Sequence, residues 1–266
     1  MAEPEPARLV VEAFVETGRP LPAVTIRRTA DLDDPAAAPP VADAVVTLTL
    51  GGEAVGYAPV PGQPGRYAPQ RALAAASGAT LRLEVTALGQ RATAASLLPA
   101  PITLDSVRVV PAAAPVEAVF ADSLGLEVRE GFLYPVDVTL YWTAPAADSN
   151  ADSSWVRARL SPPAAFPSAV VDFVLLTDAT RREADLAAGG AVRRWSGVYA
   201  VPVDTSDDPL PPHALDVALL RSGPDYARYA LSRTDPDRRE PVGNVTGGIG
   251  IAVGLALDRW TLAVGE

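Results

Sequence analysis

Apolar and polar residues alternate along most of this chain, and helical periodicity is scarce. The stretch "ATLRLEVTAL" (79–88) shows the alternation at its cleanest, with Leu81, Leu83 and Val85 on one face and Arg82, Glu84 and Thr86 on the other. That is the signature of a half-buried strand, because successive side chains of a strand point to opposite faces. "RLVVEAFV" (8–15), "AVTIRRT" (23–29) and "AVVTLTL" (44–50) read the same way and are rich in β-branched residues. Turn signals separate them: "ETGRPLP", "LGG", "VPGQPGRY" and "LGQ". Short strands at this spacing predict an immunoglobulin-like antiparallel β-sandwich over residues 1–98. In "GQPGRYAP" a turn feeds Tyr67, which reads either as an inward tyrosine at a sandwich edge or as an ordinary core aromatic.

"LLPAPITLDS" (97–106) reads as a linker, since its prolines interrupt any strand and a new alternation follows. Beyond it "LYPVDVTLYWTAP" (133–145) places Val136, Val138, Leu140 and Trp142 on one face. "AVVDFVLL" (169–176), "RRWSGVYAVPV" (193–203) and "ALDVALLRS" (214–222) continue the pattern. A second β-rich domain is therefore expected over 99–266, with one or two short helices. The first is "GPDYARYALSRTDPD" (223–237), where Tyr226, Tyr229 and Ala230 fall at helical spacing and Asp225 can cap the start. The second is "TRREADLAAGG" (180–190).

Composition changes the picture mainly by exclusion. Of 266 residues 48% are hydrophobic, enough to build a core, while the net charge is −10 with a sequence pI of about 4.7. Every cation is an arginine, scattered in ones and twos, so the basic face a nucleic-acid partner requires is missing. The chain has no cysteine and no lysine, which removes thiolate chemistry, Cys-based metal sites, Walker-type phosphate loops and Schiff bases. One histidine, His213 in "PLPPHAL", reads as a loop residue beside prolines, with a lone general base as the alternative. No apolar run reaches the ~18–20 residues of a membrane span, and no secretory signal is present. The polar opening "MAEPEPARLVVEAF" reads like a mature domain whose leader has been removed and Met1 added.

The strongest local motif is "DSNADSS" (148–154), where Asp148, Asn150 and Asp152 alternate and Ser154 follows. Oxygen ligands at that spacing suit calcium. The loop departs from an EF-hand at its sixth position, Ser153, and its twelfth, Arg159. A calcium site of another type and a solvated polar hairpin loop both stay open. "DLDD" (31–34) and "DTSDD" (204–208) could supply the paired carboxylates of a glycosidase-like hydrolase, the weakest of the functional readings. No G-x-S-x-G occurs, which leaves a serine hydrolase unsupported. Trp155, Trp195 and Tyr199, with Trp142 and Trp260, are candidates for a ligand or partner surface, at least two of the five being expected in the core. "GNVTGGIGIAVG" (243–254) holds five glycines but puts Val253 where a dinucleotide fingerprint needs its third glycine. It reads instead as glycine-dense strand where another backbone approaches closely. "NVT" (244–246) also matches a glycosylation sequon.

The order "PDYARYALS" then "EPVGNVTGGIGIAVGLALDRW" resembles the closing signature of an uncharacterised family of Bacteroidetes-type outer-membrane lipoproteins. "RLVVEAFVETGRPLPAVTIRRTADLDD", "VADAVVTLT" and "LPAPITLDSV" are similar to the opening strands, the immunoglobulin-like part and the inter-domain junction of that family. The chain departs from it at Ala252, where phenylalanine is usual, and lacks the lipidated cysteine, which would precede this chain. The resemblance implies a cell-surface protein, lipid-anchored in the outer membrane and encoded beside TonB-dependent transporters. It carries over no catalytic residue and no cofactor. It points to a non-enzymatic accessory or binding subunit, with a TonB-dependent transporter as partner and a lipid anchor as the sole link to the membrane. The competing reading is a stand-alone carbohydrate-binding or adhesive β-sandwich, with calcium at Asp148–Asp152.

Overall fold

In a computed structural model the protein is mainly β; of the expected strand segments, "AVVDFVLL" (169–176) lies outside the described residues. The structure describes residues 7–30, 38–121, 128–143, 155–162, 178–182, 192–233, 235, 237, 238 and 240–265. The strands of the first hundred residues are β1 (Leu9–Glu16), β2 (Val24–Arg28), β3 (Val45–Leu50), β4 (Glu53–Pro59), β5 (Arg66–Pro69), β6 (Thr80–Ala87) and β7 (Gln90–Leu97). There follow β8 (Leu104–Pro111), β9 (Val116–Ala121), β10 (Val128–Thr143), β11 (Trp155–Ser161) and β12 (Asp178–Arg182). The chain ends with β13 (Val192–Val203), β14 (His213–Ser222), helix α1 (Pro224–Ser232) and β15 (Ile249–Val264).

Two units are formed, and the boundary expected after residue 98 captures only the outgoing passage of the chain. The first unit runs to Pro101 and takes back Arg221–Ala256; the second holds most of Ile102–Leu220 together with the residues from Leu257 onward. The expected linker also begins too early. Leu98 is buried in the first core, and its amide donates to the Ala79 carbonyl at 3.0 Å.

In the first unit the strand order is β15-β1-β2-β5-β4-β3-β6-β7. Its pairs are antiparallel as expected, except that β1 runs parallel to β15, from Val10 beside Ile249 to Glu16 beside Leu255. A parallel pair needs a long crossover; here more than two hundred residues separate the partners. The two ends of the order then meet. Thr93 and Thr246 exchange both backbone hydrogen bonds, at 2.9 and 2.8 Å. Asn244 secures the seam: its Nδ2 donates to the carbonyls of Ala95 (3.1 Å) and Ala252 (2.9 Å), and its Oδ1 accepts from the Ala252 amide (2.9 Å).

The glycines of 243–254 serve this seam. At Gly250, φ is +109° and an added Cβ would overlap the Val11 carbonyl; at Gly254 it would press on the backbone of Leu97 and Leu98. Neighbouring strands approach too closely there for any side chain. Inside, Leu9, Val11, Ala13, Ile26, Val46, Leu48, Leu81, Leu83 and Val85 build one core with Ala252, so the alternation of β6 is realised residue by residue. Tyr67 is inward and fully buried. Its hydroxyl accepts from the Ala44 amide and donates to the Val41 carbonyl, both at 2.8 Å, pinning the loop before β3.

The first expected helix is α1, but Asp225 does not cap it. Gly223 holds the cap position with Pro224 following, and Asp225 lies in the first turn, ion-paired with Arg228. Tyr226 and Tyr229 pack on Phe14 of β1, the first edge-on at 6.1 Å, and the Tyr229 hydroxyl donates to Glu12 at 3.3 Å. Of the second expected helix, the part through Arg182 belongs to strand β12, and the remainder lies outside the described residues.

In the second unit β10 is the spine. It pairs with β13 along one edge, and along the other with β9 and then β8, with a register shift at Tyr141/Trp142. β12, β11 and β14 lie side by side in that order and lead on to β15 in the same sheet path. Val136, Val138, Leu140 and Trp142 share an entirely buried face, as their spacing predicts.

Two substitutions test this packing. Gly250→Ala should destabilise by at least ~2 kcal/mol in urea unfolding, since it combines positive φ with overlap. Gly62→Ala, with φ +73° and open space around it, should cost only about 1 kcal/mol; equal losses would refute the close approach at Gly250. The Tyr57 hydroxyl is buried with no hydrogen-bond partner among the described residues, and burial raises its pKa to about 12. Tyr57→Phe should therefore leave thermal stability unchanged or raise it by up to ~1 kcal/mol.

Candidate functional site

Alternation that buries one face of β3, β6 and β7 turns the other outward, and strand register sorts the outward residues into rows. Thr47, Glu84 and Thr93 lie side by side, and Thr246 extends that row across the seam. Thr49, Arg82 and Ala95 form the next row, extended by Asn244. Together with Arg91 these residues line a half-open groove of ≈ 520 Å³.

The polar groups of the groove differ in what they are committed to. Arg91 donates to Glu84 at 2.7 Å, and the hydrogen bond and charge of Glu84 raise its pKa. The Asn244 amide is spent on the seam, so this residue positions the wall, and the same bonds engage the nitrogen that the sequon would modify. Among the described residues, the hydroxyls of Thr47, Thr49, Thr93 and Thr246 and the guanidinium of Arg82 have no protein partner. Sequence reasoning missed this group. Each member reads singly as a solvent-facing strand residue, and only the pairing of β3 with β6 and of β7 with Thr246 brings them together.

The residues singled out from the sequence fare differently. Asp148, Asn150 and Asp152, the candidate calcium ligands, lie outside the described residues, as does "DLDD" (31–34). Trp155 opens strand β11. Trp195 and Tyr199 do not form a ligand or partner surface: they are 1% and 0% exposed. The register of β13 sets them opposite Leu140 and Val136, on the inward face, where their apolar bulk fills the interior of the second unit. Trp142 is buried with them, and Trp260 is half-buried. The Trp195 ring lies over Gly197, where a Cβ would collide with it.

His213 opens β14 and clasps Tyr199. Its Nδ1 donates to the Pro211 carbonyl at 2.7 Å, which leaves Nε2 to accept from the Tyr199 hydroxyl at 2.6 Å. Burial pushes the Tyr199 phenol well above its ordinary range. The arrangement holds a proton on the tyrosine and both imidazole nitrogens in structural bonds. In "DTSDD" (204–208), Asp208 closes its own turn, its Oδ2 accepting from the amides of Thr205 (2.7 Å) and Asp204 (3.0 Å). Among the described residues no group of three or more histidines and carboxylates could hold a metal ion, and no helix is long and apolar enough to cross a membrane.

The Thr205 and Asp204 amides hold the Asp208 carboxyl below its ordinary value. A folded pKa depressed in this way means that the turn's contribution is present above the unfolded aspartate value of ~3.9 and is lost as pH falls through the lower folded value. A carboxyl-carbon NMR titration should give Asp208 a midpoint below that value, and a midpoint at or above it would refute the turn-closing role.

No curated protein and no solved structure matches the chain. One family profile does, over residues 2–153, which is more than half of the sequence. That span includes β3, β6 and β7, the floor of the groove. The chain belongs to the family defined by the domain of unknown function DUF4249.

Proposed function

We propose that this protein is a non-enzymatic cell-surface binding protein, the accessory subunit of a TonB-dependent nutrient transporter, lipid-anchored in the outer membrane at a cysteine preceding residue 1. The observation that carries the reading is the groove on β3, β6 and β7: hydroxyls and a guanidinium with no protein partner among the described residues, on a sheet closed on itself. Such groups recognise rather than react. A threonine hydroxyl needs an adjacent base to become a nucleophile, and the groove's one carboxylate, Glu84, is paired with Arg91. A floor of paired strands holds recognition groups in fixed positions, which lowers the ordering cost of binding. The similarity of the C-terminal block to surface lipoproteins encoded beside TonB-dependent transporters supports the location and the partner.

The hydroxyl-rich lining also favours a second reading, a stand-alone carbohydrate-binding or adhesive protein, to which calcium at Asp148–Asp152 would belong. Affinity purification of the natively lipidated full-length protein from its own outer membrane separates the two. A β-barrel transporter should co-elute stoichiometrically in mild detergent. Elution without a barrel would overturn the accessory role and leave the stand-alone reading.

A further inference from the structure

The lining of the groove carries information about its ligand. Small-molecule sites of ~300–1,000 Å³ are usually walled by apolar and aromatic side chains. This one, at ≈ 520 Å³, is lined by Thr47, Thr49, Thr93 and Thr246, by Arg82, Glu84 and Arg91, and by Asn244, with the small or backbone-presenting Leu83, Ala94 and Ala95 between them. No ring is available among these residues for stacking, and every side chain that differs from a plain aliphatic one carries a hydrogen-bonding or charged group. The specificity of such a lining comes from hydrogen bonds and charge.

Each threonine hydroxyl donates once and accepts twice. Four of them, spread over two adjacent rows, form a surface that bonds in both senses, as the hydroxyls of a sugar do. The charge is equally particular. Over the whole chain acidic residues outnumber basic ones and the net charge is −10. In the groove two guanidiniums face a single carboxylate; Glu84 pairs with Arg91, and among the described residues the charge of Arg82 has no carboxylate partner. A guanidinium presents a planar fork that matches a carboxylate in bidentate fashion.

We infer that the groove binds a short oligosaccharide bearing a carboxylate, of the uronate class, with Arg82 taking the carboxylate and the threonine hydroxyls taking ring hydroxyls. This rests on reading the groove as a ligand site and is independent of the transporter. Arg82 lies in the same row as Thr49, so carboxylate and hydroxyl recognition are neighbours on one surface. Neutral sugars lose the charge-assisted bond, and acidic peptides present few hydroxyls to the threonines.

Isothermal titration of the full chain with digalacturonate, with neutral galactobiose and with a triglutamate peptide tests the assignment. Digalacturonate should bind saturably at one site, and galactobiose at least about tenfold more weakly. Arg82→Gln should weaken digalacturonate by about tenfold or more, Arg82→Lys should restore part of the loss, and Thr47→Val should weaken it a few-fold. The unfolding midpoint of each Arg82 variant should stay at the wild-type value, because this exposed side chain has no partner among the described residues. No binding of digalacturonate, equal binding of galactobiose, tighter binding of triglutamate, or indifference to Arg82→Gln would each overturn the inference. Binding through Arg82 without any co-purifying barrel would remove the accessory role and leave this inference standing. A barrel that co-purifies while digalacturonate fails to bind would do the reverse.

Discussion

The first unit depends on the return of Arg221–Ala256 to lie between its outermost strands. Without that segment β1 and β7 would each expose an unpaired edge, a row of backbone donors and acceptors open to other chains. With it, β15 pairs with β1 on one side, while Thr246 and Asn244 pair with β7 on the other. The glycines at 250 and 254 let the backbones come together, and the Asn244 side chain replaces ladder bonds that the irregular segment cannot supply. The groove is a product of the same seam, because Thr246 and Asn244 are at once the closing residues and one wall of the site.

Much of the fold was legible because burial in strands leaves a period-two trace. Leu81, Leu83 and Val85, or Val136, Val138, Leu140 and Trp142, needed only local rules to be placed on one face. Tyr67 was readable as inward, although its role as a clasp on Val41 and Ala44 depends on a loop more than twenty residues away. The division after residue 98 failed for a different reason. Local composition marks where a chain leaves a unit, but re-entry at Arg221 is written only in long-range pairing. The parallel pairing of β1 with β15 was hidden in the same way, since each strand alternates identically whichever direction its neighbour runs.

The candidate site shows the opposite bias. Sequence reasoning could draw its candidates only from conspicuous residues: tryptophans, the lone histidine and clustered aspartates, the last two of which it already read as ordinary loop residues. Trp195 and Tyr199 were spent on the core because a small interior needs their bulk, and Asp208 on its own turn. The residues that gather around the groove are inconspicuous threonines and one of many arginines. Their significance lies in register, which single-strand patterns do not encode. The glycine block was the exception. Its reading as close-packed backbone followed from local chemistry alone and led directly to the seam.

The separation between β1 and β15 sets the order of events during synthesis. Strands β1 to β7 leave the ribosome first and can form their antiparallel pairs early, since those contacts are local. The last partner follows only after a further unit's worth of chain has been made. Through that interval the nascent protein carries two raw sheet edges, the kind of species that invites misassociation. Closure is therefore a late, entropically expensive event of high contact order, and the finished groove doubles as a report that Arg221–Ala256 has been made and has docked on the first unit.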